Sequence, residues 1–356
     1  MKRVLTTEIT PGMITAKDIY NDRNLLVIQE GTELDERAIS KLMIHDIISV
    51  MVVDEKGPVR LAPKEPSYFQ KLRASEEFKE FKNRYDTETV AFTEELTEIV
   101  DKGKKIDEEK LLNLTYNIMG EKQASIGLID ILQNMRDNDD ETYVHSVNVA
   151  LMCALFASWL KLSEKETRTA ILSGLLHDIG KTMVPESVLR RSEELSEMEV
   201  TRLKLHPMDG GRLLKMKNVD PHIVNAAMQH HERCDGSGYP QGLRRKQIDK
   251  FAKIVAIADV YDGMTATRVY RSPICPFTVI EMFEEEGMQK YEIEYLLPFL
   301  EHIGGTYLQN RVRLSNGMEG TVIYLNKEKM SRPIVQCGKN FVDLMEHPEL
   351  TIERVL

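Results

Sequence analysis

Between Pro66 and Pro185 the chain carries no proline. Proline inside a helix removes a backbone hydrogen bond and clashes with the preceding turn. Its absence leaves this span free to run as long helices. Phe78, Phe81 and Tyr85 fall at i, i+3 and i+7 with charged residues between them, the spacing of one apolar helix face. Residues 63–124 therefore read as a helical connector. They show no sustained heptad, which leaves a homodimer open without specifying one.

The two ends of the chain have a different pattern. "NLLVIQEGTEL" and "IISVMVVDEKGPVRL" are short Ile/Val-rich runs broken by Gly and Pro. Between them "DERAISKLMIHD" has an Asp cap and helical spacing at Ile39, Leu42 and Met43. Residues 1–62 thus predict a small β-rich domain with one helix, in the position of a regulatory domain. Beyond residue 305, "NRVRLSNGMEGTVIYLN" places Asn-Gly between alternating apolar residues, a hairpin signal, and "RPIVQCG" reads as a further strand. The expected fold class is mainly α: a helical bundle over 125–304, with a small β-rich N-terminal domain and a short β-rich appendage over 305–356.

The net charge of −10 argues against coating a nucleic-acid polymer, which needs a basic surface. It leaves room for a small phosphate ligand held by local cations or metals. Cys153, Cys234, Cys275 and Cys337 form no CxxC pair and no disulfide framework, so a reduced, cytoplasmic setting is expected. The N-terminus lacks the apolar core of a signal peptide. The most membrane-like run, "VNVALMCALFASWLKL" at 147–162, falls short of the ~20 residues a bilayer requires and contains Asn148. It reads as a buried helix, with no membrane association.

Five of the nine histidines, His145, His177, His206, His230 and His231, lie within 87 residues. Each adjoins a carboxylate or another histidine, or lies within a turn of one. "ETYVHS" sets Glu141 and His145 at i, i+4, on one side of a helix. "LLHDIGK" sets His177 beside Asp178, with Lys181 one turn later. "QHHE" and "AIADVYD" supply His230, His231 and Asp259. Imidazole suits transition metals and a carboxylate can bridge two of them, so the set fits a multi-metal hydrolytic centre. Taken singly, each residue has an ordinary structural reading. A lone helical histidine is usually a surface or satisfied core residue, and a lysine ending a helix meets the helix dipole. The order in which they occur together carries the inference.

"LLHDIGK", "QHHERCDGSGYP" and "KIVAIADVYDGMTATRVYR" resemble the HD-GYP family, bacterial cyclic-di-GMP phosphodiesterases of the HD hydrolase superfamily. The resemblance covers roughly residues 125–305. It implies an all-helical metallohydrolase bundle holding two or three divalent metals, iron or manganese. On this resemblance the metal ligands are His145, His177, Asp178, His206, His230, His231 and Asp259, with Asp178 bridging. Glu141 implies a third metal. Lys181 matches a lysine that contacts the scissile phosphate, and Asp178 and Lys181 are the implied catalytic pair. Arg268 and Arg271 match basic positions that approach the ligand's phosphates or guanines, as the forked guanidinium suits. Asp235, Gly236, Gly238, Tyr239 and Pro240 form the loop signature, with shaping roles. Two departures stand out: Val269 where many members have Pro, and Cys234 where many have an aromatic residue.

The implied activity is hydrolysis of cyclic di-GMP to the linear dinucleotide or to GMP, by a hydroxide bridging two metals. Two rivals remain. One is a weakly active or silent cyclic-dinucleotide receptor. The other is a phosphodiesterase that prefers the hybrid cyclic GMP–AMP.

Overall fold

The computed structural model describes residues 2–6, 9, 12–20, 26–35, 38–39, 41–42, 47, 49–53, 72–120, 128–129, 132, 142–189, 195–266 and 273–356. The chain divides into two compact units, Met1–Glu65 and Pro66–Leu356.

In the first unit, β1 (Lys2–Leu5) pairs antiparallel with β4 (Ser49–Val52), and β2 (Ile19–Tyr20) with β3 (Leu26–Ile28). Residues 38, 39, 41 and 42 are helical. Val4, Ile19, Val27, Leu34, Leu42, Val50 and Val52 close a small separate core. Met43, expected on the helix face, lies outside the described residues.

The second unit is mainly α. Helix α1 (Glu76–Asp101) starts where the Ser75 side chain accepts the Phe78 amide, with Glu76 and Glu77 favouring the positive end of the helix dipole. Phe78, Phe81, Tyr85, Phe92, Leu96 and Ile99 are buried along one face. Helix α2 (Glu108–Met119) begins on Asp107, whose side chain accepts the Lys110 amide, and stops at Gly120.

Helix α3 (Thr142–Trp159) is the apolar run noted above, and its residues from Val147 to Ala157 are buried. A helix hydrophobic on every side belongs in a core. Its Asn148 is satisfied there: Tyr85 of α1 donates its hydroxyl to Asn148 Oδ1 at 2.6 Å. No helix among the described residues is long and apolar enough to cross a membrane.

Helix α4 (Glu164–Leu176) opens on a reciprocal Ser163–Glu166 capping box. It packs close on α3 because Gly174 lacks a side chain; a Cβ there would fall 2.9 Å from Ala150 Cα. A 3-10 turn, Ile179–Met183, follows. Then come α5 (Glu197–Leu203), α6 (His206–Met216), α7 (Pro221–Gln229), α8 (Lys250–Thr265), α9 (Pro276–Met282) and α10 (Ile293–Thr306). Proline at the first or second position of α6, α7 and α9 suits an amide that has no helical partner.

The C-terminal strands β5 (Arg311–Leu314), β6 (Glu319–Tyr324), β7 (Ile334–Cys337), β8 (Asn340–Asp343) and β9 (Ile352–Val355) form an antiparallel sheet of order β8-β7-β6-β5-β9. Asn316-Gly317 turns the β5–β6 hairpin, with Gly317 at φ +84°. Val312, Val322, Val335, Leu344 and Ile352 join the same core as the helices, so this sheet is fused to the bundle.

Candidate metal centre

The expected ligands come from five places in the chain, most of them at helix ends. His145 lies in the first turns of α3. His177 caps the C-terminus of α4 and Asp178 precedes the 3-10 turn that carries Lys181. His206 opens α6, His230 caps the end of α7, and His231 follows it. Asp259 projects from α8. Side chains at helix ends reach one point without the helices having to cross there.

The structure brings these residues together. Asp178 Oδ1 lies 3.2 Å from His206 Nε2 and 3.7 Å from His230 Nε2. Its Oδ2 lies 3.3 Å from His177 Nε2, 3.8 Å from His145 Nε2 and 2.5 Å from Lys181 Nζ. The two carboxylate oxygens thus face two different sets of imidazoles. Asp259 Oδ1 is 3.0 Å from His145 Nε2, and its Oδ2 is 3.8 Å from His231 Nδ1.

Three imidazoles are oriented by main-chain carbonyls. Nδ1 of His177 sits 2.6 Å from Gly174 O, that of His206 2.7 Å from Leu203 O, and that of His230 2.9 Å from Ala227 O. A carbonyl only accepts, so Nδ1 carries the proton and the Nε2 lone pair points inward.

The electrostatics leave the donors ready for a cation. Burial would raise the Asp178 and Asp259 carboxyls, but the adjacent Lys181 and imidazoles outweigh it and hold both well below the usual range. Burial and the crowd of neighbouring imidazoles push His230 well down, and burial takes His231 to about 3. Both rings are therefore neutral ligands at pH 7. His145 behaves oppositely. Burial alone would depress it, but Asp259 and Asp262 raise it to about 9.

Three groups of donor atoms could each hold a metal ion: His206, His230 and His231; His145, His177 and Asp259; and His177, Asp178 and His230. His177 Nε2 and Asp178 Oδ1 are buried without a properly directed hydrogen bond. An orphaned buried acceptor costs about 1–3 kcal/mol, more when charged, so these atoms call for a ligand. Buried imidazoles and carboxylates with inward lone pairs fit divalent metal ions.

The cluster is open on one side. The side chains of His177, His230, Asp178, His206 and His145 are closed off. Asp259, His231 and Lys181 retain 12%, 19% and 24% exposure.

The loop after α7 forms one wall. Tyr239 stacks on His231, with ring centroids 4.7 Å apart, and the Tyr239–Pro240 peptide is cis. Asp235 shapes the turn, accepting from the Ser237 amide and hydroxyl. Gly236 has φ +88°, which favours glycine. Gly238 lies against backbone, where a Cβ would fall 2.4 Å from both Arg233 N and Glu232 Cα. Cys234 is buried beside this loop, and burial pushes its thiol up. It is a packed residue and belongs to none of the donor groups, among the described residues, that could hold a metal.

Two residues that build the site leave no plain mark in the sequence. Asp262, buried one turn from Asp259, holds His145 Nδ1 at 2.7 Å. Glu232, also buried, accepts the Gln241 and Leu243 amides on its two oxygens and so ties the loop down. The i, i+3 spacing of Asp259 and Asp262 was the available signal for the first. Glu141, Arg268, Val269 and Arg271 lie outside the described residues.

Helix ends converging on a buried His/Asp cluster define a helical metal-binding domain. A family model for the HD domain matches residues 108–294, more than half of the chain, and the chain belongs to that family. The chain is 32% identical over 235 residues to a cyclic di-GMP phosphodiesterase of Pseudomonas aeruginosa, covering 66% of this chain and 56% of the relative. It is 37% identical over 145 residues to the 3'3'-cGAMP-specific phosphodiesterase 1 of Vibrio cholerae, covering 41% and 34%. It is 34% identical over 166 residues to a cyclic di-GMP phosphodiesterase response regulator of Xanthomonas campestris, covering 46% and 43%. The match thus spans little more than half the length of these relatives at most.

Proposed function

We propose that this chain is a metal-dependent phosphodiesterase of the HD-GYP branch that hydrolyses cyclic di-GMP. The observation that carries the proposal is Asp178, whose two oxygens face separate imidazole sets while Lys181 stands beside them. His145, His177, Asp178, His206, His230, His231 and Asp259 would hold two divalent ions, iron or manganese, and Glu141 would add a third. Bound ions of this kind supply Lewis acidity and a water acidified enough to ionise near neutral pH.

The chain's own groups do the rest. Lys181, at the open side, neutralises charge developing on the phosphoryl oxygens. Its salt bridge to Asp178 fixes the ammonium where a phosphate would enter. Asp262 and the carbonyls of Gly174, Leu203 and Ala227 hold the rings in one orientation. Tyr239 walls the His231 side against water. Arg268 and Arg271 are assigned to the phosphates or guanines, and residues 1–62 to regulation.

Relatives named for both dinucleotides make cyclic GMP–AMP the second reading. The test is chromatography of nucleotides after incubating anaerobically Fe(II)- or Mn(II)-loaded protein with each dinucleotide. The His177→Ala, Asp178→Ala double variant runs alongside. Linear dinucleotide or GMP from cyclic di-GMP, in the wild type only, is the expected result. Intact cyclic di-GMP with both metals sinks the proposal, and cleavage of cyclic GMP–AMP alone moves it to the hybrid substrate.

A further inference from the structure

The open side of the cluster has a second cation that the proposed chemistry does not use. Lys204 closes helix α5, and its amide bonds to Val200 O and Arg202 O, which fixes its Cα two residues before His206. Its Nζ lies 5.6 Å from the centroid of the Tyr239 ring, the same ring that stacks on His231. Lys204 therefore stands beside the ring that covers His231, whereas Lys181 is held by Asp178.

Among the described residues, the other basic groups near the opening each have a partner of their own. Lys181 pairs with Asp178, Arg202 with Asp209, and Arg233 donates to the carbonyls of His230 and Glu232. Lys204 is exposed, and no carboxylate among the described residues pairs with it. An exposed cation–π contact is worth only ~0.5–1 kcal/mol. Tyr239 thus steers the ammonium without saturating it. The result is a cation held near the Tyr239 ring, without a carboxylate partner among the described residues, that can take an anion.

A cyclic dinucleotide carries two phosphodiesters, and only one can sit at the cluster beside Lys181 at a time. The other stays on the open side, where Lys204 can meet it alongside the Arg268 and Arg271 assigned above to phosphates or guanines. We infer that Lys204 binds the phosphate that is not being cut, and so selects cyclic dinucleotides over ligands with a single phosphodiester. This rests on the phosphodiesterase reading above. A compact ammonium on a flexible stem suits it, because the linear product of the first cut must shift before its remaining phosphodiester reaches the cluster.

The experiment compares wild type, Lys204→Ala and Lys204→Arg as full-length, Mn(II)-loaded proteins. Two substrates are used: cyclic di-GMP and bis(p-nitrophenyl) phosphate, which has one phosphodiester. Affinity for a methylanthraniloyl derivative of cyclic di-GMP is read by fluorescence. Lys204→Ala is expected to raise KM for cyclic di-GMP about tenfold while kcat changes little, the mark of lost ground-state binding. The selectivity ratio between the two substrates should fall by the same factor, the fluorescent ligand should bind correspondingly more weakly, and Lys204→Arg should recover most of each.

Unchanged KM and unchanged ligand affinity in Lys204→Ala overturn the assignment. So does an equal loss on both substrates with falling metal content, which would mean that Lys204 acts through Tyr239 and His231. Wild-type protein that cleaves bis(p-nitrophenyl) phosphate yet neither binds nor cuts cyclic di-GMP overturns the substrate reading, and this assignment with it.

Discussion

His145 is held at both ring nitrogens: Nδ1 lies 2.7 Å from Asp262 Oδ2, while Nε2 lies 3.0 Å from Asp259 Oδ1. One carboxylate belongs to the expected ligand set. The other stands behind the ring, where it fixes the tautomer and raises the basicity of Nε2 toward a metal.

Replacing the outer carboxylate should therefore weaken metal binding without unfolding the chain. Such partners are typically worth 10–100-fold in metal affinity. Asp262→Asn keeps the shape and removes the charge. A chelator competition with Mn(II) should show affinity reduced by a factor in that range, with an unchanged helical circular dichroism spectrum. Wild-type affinity in the variant would show that Asp262 is mere packing.

The same pair gives the metal-stripped protein a pH dependence. The His145 pKa in the fold, about 9, exceeds its ordinary value of 6.5. Its contribution to stability is fully present below 6.5 and is lost as pH rises through about 9. The shift corresponds to something on the order of 3 kcal/mol. Urea denaturation of EDTA-treated protein should thus show stability falling from pH 6.5 to 9, and His145→Gln should flatten the curve. Metal loading should flatten it too, because a metal at Nε2 displaces the proton. A flat profile in stripped wild-type protein would contradict the assignment.

The helical bundle, the buried helix over most of 147–162 (buried to Ala157, ending at Trp159) and the His/Asp cluster were legible because each leaves a local mark: periodicity, an apolar run, adjacent histidines. The Asn316-Gly317 hairpin was legible for the same reason. Asp262 was not, because an aspartate on a helix looks like a solvated residue until His145, 117 positions away in sequence, is seen beside it. Glu232 lies in the "QHHE" run, yet its role depends on amides that only the folded loop presents. Lys204 shows nothing in sequence beyond a charged helix end. The fusion of the C-terminal sheet to the helical core depends on long-range packing that strand patterns do not encode.

Gly180 is a position where the sequence motif has a steric cause. A Cβ there would fall 1.9 Å from His206 O and 2.6 Å from Gly210 N. Both are backbone atoms of α6, so no side chain can swing aside. Gly180→Ala must push the 3-10 turn off α6 and part Asp178 from His206. Overpacking of this kind costs about 1–3 kcal/mol, occasionally more. We expect a lower Tm together with loss of bound metal, measured by calorimetry and elemental analysis. A variant with wild-type Tm and full metal content would refute the close-approach argument.

Glu95 tests the packing between α1 and α2, away from the cluster. Its side chain is 1% exposed, and Oε2 accepts from both Lys104 and Lys110. Burial would raise the carboxyl, but the bonds from Lys110 and Lys104 outweigh it and hold it below its ordinary 4.5. Its contribution to stability is therefore present above pH 4.5 and is lost as pH falls through the lowered value. Removing one member of a fully buried pair costs about 3–5 kcal/mol, because the other charge is stranded. Here the two lysines keep 39% and 49% exposure and can return to water, so stranding is avoided. What remains is the net worth of charge-assisted hydrogen bonds, less the desolvation no longer incurred. Glu95→Ala should cost about 1–2 kcal/mol in urea denaturation at pH 7. The gap to wild type should narrow on acidification below pH 4.5, as the wild-type carboxylate takes up a proton and loses its hold on the lysines. A gap that stays constant down to the acid limit would mean that Glu95 contributes through volume and not through charge.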